Sequence, residues 1–132
     1  MGTRTPAKKA TIKVAKRPSR KVDGEAAVLE KIAKLPERWR AMGRRLHTII
    51  MASAPELKPR SWYGMPGYSK GGPCVCFFRA DEPYMTFGIT QEAGLTIEPG
   101  APDQLIAAGW YFTALDEATE ARIGALARKA AG

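Results

Sequence analysis

The chain has 132 residues, 45% of them apolar, a formal net charge of +8, one histidine and two cysteines. This is the size of one domain with enough apolar side chains for a core without disulfide staples. No apolar run approaches the roughly 20 residues of a membrane span, and the Cys and His complement is too small for a tetrahedral zinc site. The charge is unevenly placed. Residues 1–22 hold Arg4, Lys8, Lys9, Lys13, Lys16, Arg17, Arg20 and Lys21 and no acid, so residues 23–132 are electrically balanced, with 13 bases against 13 acids.

Residues 1–22 read as a disordered basic tail, Lys/Ala/Pro-rich with too little apolar area to offset ordering entropy. They lack the apolar core of a signal peptide. Asp23 is a plausible N-cap for a first helix, with Glu25 in its first turn. Val28, Leu29, Ile32 and Leu35 recur at helical spacing. Pro36 ends that segment and suits the first turn of a second helix, with Glu37 beside it. Trp39, Met42, Leu46, Ile49 and Ile50 form the apolar stripe of that helix, which ends near Ala54-Pro55. His47 also lies on it, read as a polar-face or half-buried side chain rather than a metal ligand.

After Pro55 the pattern changes to short strands: Ser61–Tyr63, Tyr68–Ser69, then the continuous apolar run Cys74–Phe78, which fits a central strand. Asp81-Glu82-Pro83 is a turn. Tyr84–Thr90 alternates Met85, Phe87 and Ile89 against Tyr84, Thr86 and Gly88. Gly94–Glu98 reads as a further strand, Pro102–Ala108 as a short helix and Trp110–Thr113 as the last strand. Asp116–Ala130 closes the chain as a helix with Arg128 and Lys129 near its C-terminus. There is no internal repeat. Helices before and after a run of closely linked strands imply an α+β two-layer sandwich, with a mainly antiparallel sheet of about five strands, over residues 23–132.

Chemistry-bearing motifs are few. A Ser-His-Asp triad would have to use His47, which lies in a helical stripe. Gly71-Gly72-Pro73 lacks the ending of a phosphate-binding loop. Cys74 and Cys76, one residue apart in a strand, should share a face about 7 Å apart, too far for a relaxed disulfide. Burial in a core strand fits them better than soft-metal binding, and reduced thiols fit a cytoplasmic setting. The best ligand-pocket candidate is Trp62-Tyr63-Gly64-Met65-Pro66 with Tyr68 and Phe78, where aromatic rings with polar tips adjoin glycines, and Met65-Pro66 suits a tight turn. The competing reading is that these rings cap the core. In the tail, Lys8, Lys9, Lys13, Lys16, Arg17, Arg20 and Lys21 are candidates for contacting nucleic acid or another polyanion.

Leu35-Pro36-Glu37, Leu46 through Pro55, Tyr63-Gly64-Met65-Pro66 followed by Tyr68, Val75-Cys76-Phe77-Phe78 and the closing Leu105–Arg128 region together resemble the bacterial YdhG-like domains. Some of these are described as frataxin-like intracellular iron chaperones. The likeness covers about residues 25–130. It implies a frataxin-like sandwich, and a small cytoplasmic protein that binds ferrous iron through carboxylates and hands it to an iron-accepting partner. It transfers no ligand residue, because the dense acidic ridge of frataxins is missing from the first helix here. Two other readings stand beside it: a nucleic-acid-associated protein acting through the basic tail, and a small-molecule binder or enzyme using the Trp62–Tyr68 pocket.

Overall fold

The computed structural model describes residues 20–132, and side chains from residue 24 onward. The tail candidates Lys8, Lys9, Lys13, Lys16 and Arg17 therefore lie outside the described residues, as do the side chains of Arg20 and Lys21. Three helices and five strands follow in the order α1 (Arg20–Ala33), α2 (Glu37–Ser53), β1 (Lys58–Trp62), β2 (Met65–Ser69), β3 (Cys74–Ala80), β4 (Met85–Ile89), β5 (Gly109–Phe112) and α3 (Glu117–Ala131). The strands form one antiparallel meander, β1-β2-β3-β4-β5, with the apolar run 74–78 at its centre. The three helices lie on one face, so the architecture is the expected α+β two-layer sandwich.

Each helix is explained locally. α1 begins at Arg20, three residues before the expected cap. α2 starts behind Pro36, whose carbonyl accepts from Trp39 N at 2.8 Å, and ends where Pro55 removes the next donor. α3 is capped by Asp116, whose Oδ1 accepts from Thr119 N at 2.8 Å. That bond holds the Asp116 carboxyl below its ordinary range. Acids in the first turn of α3 and Arg128 and Lys129 in its last turn both suit the helix dipole.

The core lies between the layers. Val28, Ile32, Trp39, Leu46, Ile50, Ile123 and Ala127 from the helices meet Tyr68, Cys76, Phe78, Met85, Phe87 and Ile89 from the sheet. A fully buried side chain of Phe or Leu size contributes roughly 1.5–3 kcal/mol, so these residues dominate the stability of the fold.

Two expected elements are absent. Gly94–Glu98 is not a strand: β4 is already flanked by β3 and β5, and the segment runs instead beside α3, where Glu98 meets Lys129. The chain instead makes a 3-10 turn at Gln91–Ala93, capped by Thr90 Oγ1. Pro102–Ala108 is not a helix: Asp103 Oδ1 accepts from Leu105 N at 3.0 Å, a local turn that competes with helical bonding. The long link 90–108 runs along the helix side, where Leu95, Leu105, Ile106, Trp110 and Leu126 line a cleft of roughly 300 Å³ against α3.

Candidate functional site

The stretch Trp62–Tyr68 is divided among three environments. Tyr63 and Gly64, with φ of 51° and 77°, form the two-residue turn between β1 and β2. Two consecutive positive φ values are the type I′ hairpin geometry. Gly64 adopts it without strain, whereas a tyrosine rarely does. The bend is therefore at Tyr63-Gly64, and Met65 and Pro66 begin β2. Among the described residues the cis peptide is Glu82-Pro83.

Tyr63 stands 85% exposed. With Gly64, Met65, Pro66, Leu35, Lys31, Lys34 and Arg79 it borders an open groove of roughly 600 Å³. Trp62 instead lies on the sheet face away from the helices. Tyr68 and Phe78 are completely buried on the helix side and line no groove, which removes them from the pocket that the sequence suggested. They stack in the core with ring centroids 6.3 Å apart.

Tyr68 has a defined polar role. Its hydroxyl is 2.7 Å from His47 Nδ1, and His47 Nε2 is 2.9 Å from Glu25 Oε2. Burial raises the Tyr68 phenol well above its ordinary range, with nearby acidic groups adding to the effect. It therefore stays protonated and donates to Nδ1, while the Nε2–H donates to Glu25. His47 is only 7% exposed, more buried than its helical position suggested. Both ring nitrogens are engaged, so neither is free for a metal or to serve as a base. The chain Tyr68–His47–Glu25 ties β2 to α2 and α1.

The cysteines do not share a face as a regular strand would require. Tyr68 pairs with Cys76 and Ser69 with Cys74, so one step on β2 spans two on β3, a bulge at Val75. Cys76 points into the core. Cys74 Sγ lies on the opposite side, where a Cβ on Gly67 would come within 3.1 Å of it. Both are free and buried. Burial pushes the Cys76 thiol up to about 12 and also raises that of Cys74, so neither is poised as a thiolate ligand or nucleophile.

Among the described residues, six carboxylates are held in ion pairs with Lys or Arg. Glu30 pairs with Lys34, Asp81 with Arg79, Glu82 with Arg38, Glu98 with Lys129, Glu120 with Arg45 and Glu56 with Arg128. Among the described residues no three His, Cys, Asp or Glu side chains come together as a metal site, so this donor set does not fit a bound iron.

The remaining distinctive surface is the sheet face that, among the described residues, carries no helix. Strand register places Arg60, Gly67, Phe77, Gly88 and Gly109 in one row across it. Two residues further along, Trp62 and Met65 pair at one end of the neighbouring row, and Arg79, Thr86 and Tyr111 make up the other. Three of the five positions in the first row are glycine, which leaves room for rings to lie down. Trp62 and Phe77 lean together over Gly67, centroids 5.1 Å apart. The end of the Phe77 ring covers Gly88, where a Cβ would come within 2.6 Å of Cε1. Tyr63 meets Trp62 edge-on at 4.8 Å, extending the surface toward the groove. Tyr111, 67% exposed, stacks on Tyr84 at 4.4 Å on the far side.

The five strands contain Lys58, Arg60 and Arg79 and not one acid. The carboxylate at the border is Asp81, 3.0 Å from Arg79 Nε. α1 packs on β1 so closely that a Cβ on Gly24 would fall 2.7 Å from the Pro59 carbonyl oxygen. The N-terminal half of α1, into which the basic tail leads, is thus set against the strand that carries Lys58 and Arg60.

Sequence reasoning singled out Trp62 but put the turn at Met65-Pro66, and it missed Arg60, Gly67, Phe77, Gly88 and Tyr111 as a group. The signal was available in β4, where Thr86 and Gly88 alternate with apolar residues. In β3 it was hidden, because Phe77 on the open face makes the run look apolar throughout. Compared with protein-family models, with curated proteins and with solved structures, the chain matches none.

Proposed function

We propose that this protein is a nucleic-acid-associated binding protein rather than an enzyme, with the basic tail as its main source of affinity. The observation that carries this is one of placement. The segment bearing the whole net charge leads into α1 at the β1 edge, beside Lys58 and Arg60, and the sheet contributes cations without acids. A polyanion held by the tail meets further positive charge on the domain instead of repulsion. The engaged His47 and the raised thiols leave no activated nucleophile or base among the described residues, which favours binding over catalysis. The two buried free thiols support a reducing, cytoplasmic setting as part of the same proposal.

The likeness to YdhG-like domains stands as a proposal about kinship, supported by the same helix–sheet–helix order. Iron delivery to a partner rests on that likeness alone, since the described side chains supply no donor cluster.

The test is fluorescence anisotropy on a labelled duplex of about 20 base pairs across a salt series. Eight phosphate contacts give a log–log slope of roughly −7, and changing Lys8, Lys9, Lys13, Lys16 and Arg17 to Gln should flatten it by about 4 to 5 units. A slope unchanged by those substitutions would sink the tail as the agent.

A further inference from the structure

We infer that the open face of the sheet is a subsite for single-stranded nucleic acid, with unpaired bases stacking on the Trp62–Phe77 surface and the phosphate backbone running beside Arg60 and Arg79. This rests on the nucleic-acid reading above and specifies what the folded domain adds to the tail. Three features of the face support it.

The first is the arrangement of rings. Trp62 and Phe77 come from strands that are not neighbours, yet they meet over Gly67 at 5.1 Å. Side chains at Gly67 or Gly88 would collide with them. The rings thus lean against each other at 39° across the open face, and neither is buried under a helix. A base presents its π-face to such a surface whatever its identity.

The second is the interleaving of charge. On β1 the cation Arg60 is two residues from Trp62, and on β3 Phe77 is two residues from Arg79. Residues i and i+2 of a strand share a face, so each stacking ring has a guanidinium beside it at the spacing of the pleat. Aromatic platforms flanked by cations are the pattern of proteins that track a single strand. Arg79 is held by Asp81 at the border of the face, whereas Arg60 pairs with no carboxylate among the described residues and its Nη1 donates to the Gly72 carbonyl, so the Trp62 side of the surface keeps the freer cation.

The third is accessibility. Bases in a duplex are stacked on each other and show only their edges, so rings lying flat on a sheet cannot reach them. Tyr63 supports the same end of the surface: it is held at φ 51° and stands 85% exposed at the corner where the face meets the groove lined by Lys31, Lys34 and Arg79. Backbone strain that delivers an aromatic ring to solvent is found at ligand-contacting corners.

The experiment compares oligothymidine with a duplex carrying the same number of phosphates, using the full chain and the Trp62→Ala and Arg60→Gln variants. Stacking energetics predict that Trp62→Ala weakens oligothymidine binding by about fivefold or more. Duplex binding, which is set by charge, should stay within about twofold. Oligothymidine should also quench the tryptophan fluorescence of the parent protein, and Trp62→Phe should remove that quenching. Circular dichroism checks folding of each variant, and the exposed Arg60→Gln, which leaves the core untouched, should weaken single-strand binding even if Trp62→Ala fails to fold. Oligothymidine binding unchanged in Trp62→Ala and Arg60→Gln overturns the inference and leaves the tail-based function standing. Failure of the parent protein to bind either nucleic acid overturns both. A concentration-dependent dimer by light scattering that Trp62→Ala abolishes assigns the face to a second copy of this chain, and likewise overturns the inference.

Discussion

The two faces of the sheet are made by the same five strands and differ by one residue in register. Phe78 and its neighbour Phe77 show the contrast. Phe78 is fully enclosed beneath the helices, among Tyr68, Phe87 and Met85. Phe77 lies on the other side over a glycine, with Trp62 as its aromatic neighbour and solvent above. One face is a core closed by volume and one polar chain. The other is a ring surface that needs empty positions, the glycines, to exist. The composition of a strand says that both phenylalanines favour burial; only the layer above decides which is buried.

The largest expected effect tests that contrast directly. Phe78→Ala should cost about 3–5 kcal/mol in denaturant unfolding, as for a large-to-small change in a closed core. Phe77→Ala should cost clearly less, since Phe77 is only partly buried and keeps some of its surface in water; equal losses would mean that the open face is covered in solution. Next is the polar chain. Tyr68→Phe leaves His47 Nδ1 buried without its donor and should destabilise by about 1–3 kcal/mol, read from the same unfolding curves.

A smaller effect sharpens the account of the open face. Gly88→Ala pushes a methyl group to within 2.6 Å of the Phe77 ring and should cost about 1 kcal/mol. The double variant with Phe77→Ala should recover part of that cost, and additive losses would refute the close approach.

The smallest concerns the exposed pair Glu56–Arg128, where Arg128 Nη1 donates to Glu56 Oε1 at 3.0 Å. That bond, with a backbone one, lowers the Glu56 carboxyl from 4.5 to about 2. Because the folded value is depressed, the pair stabilises the protein above about pH 4.5 and the contribution fades as pH falls toward 2. Solvent screening keeps it small. An NMR titration of the Glu56 side chain should show its midpoint shifted down, and Arg128→Ala should move it back up toward the ordinary range.

Much of the fold was legible because its signals are local. Pro36 and Pro55 remove donors, Asp116 caps, and Met85, Phe87 and Ile89 alternate; each acts within a few residues. Gly94–Glu98 and Pro102–Ala108 misled because a strand exists only if the segment reaches a partner edge, and a short helix only if no nearer turn takes its donors. Neither condition is written in the segment itself. Trp62-Tyr63-Gly64 was visible as a cluster, but Tyr68 and Phe78 were read into the same pocket, whereas strand register sends them to the opposite face.

By itself the sequence determined the α+β class, the helix-first and helix-last order, the central place of residues 74–78 and the confinement of net charge to the first 22 residues, since all of these follow from composition and short-range periodicity. Tertiary structure alone decided that His47 joins Tyr68 to Glu25 and that a bulge at Val75 parts the two cysteines. It also decided that Trp62 and Phe77, fifteen residues apart in the chain, meet over Gly67. Each of these depends on strand register, which is fixed by burying one face of the sheet against the helices, and a shift of one residue would have reversed them all.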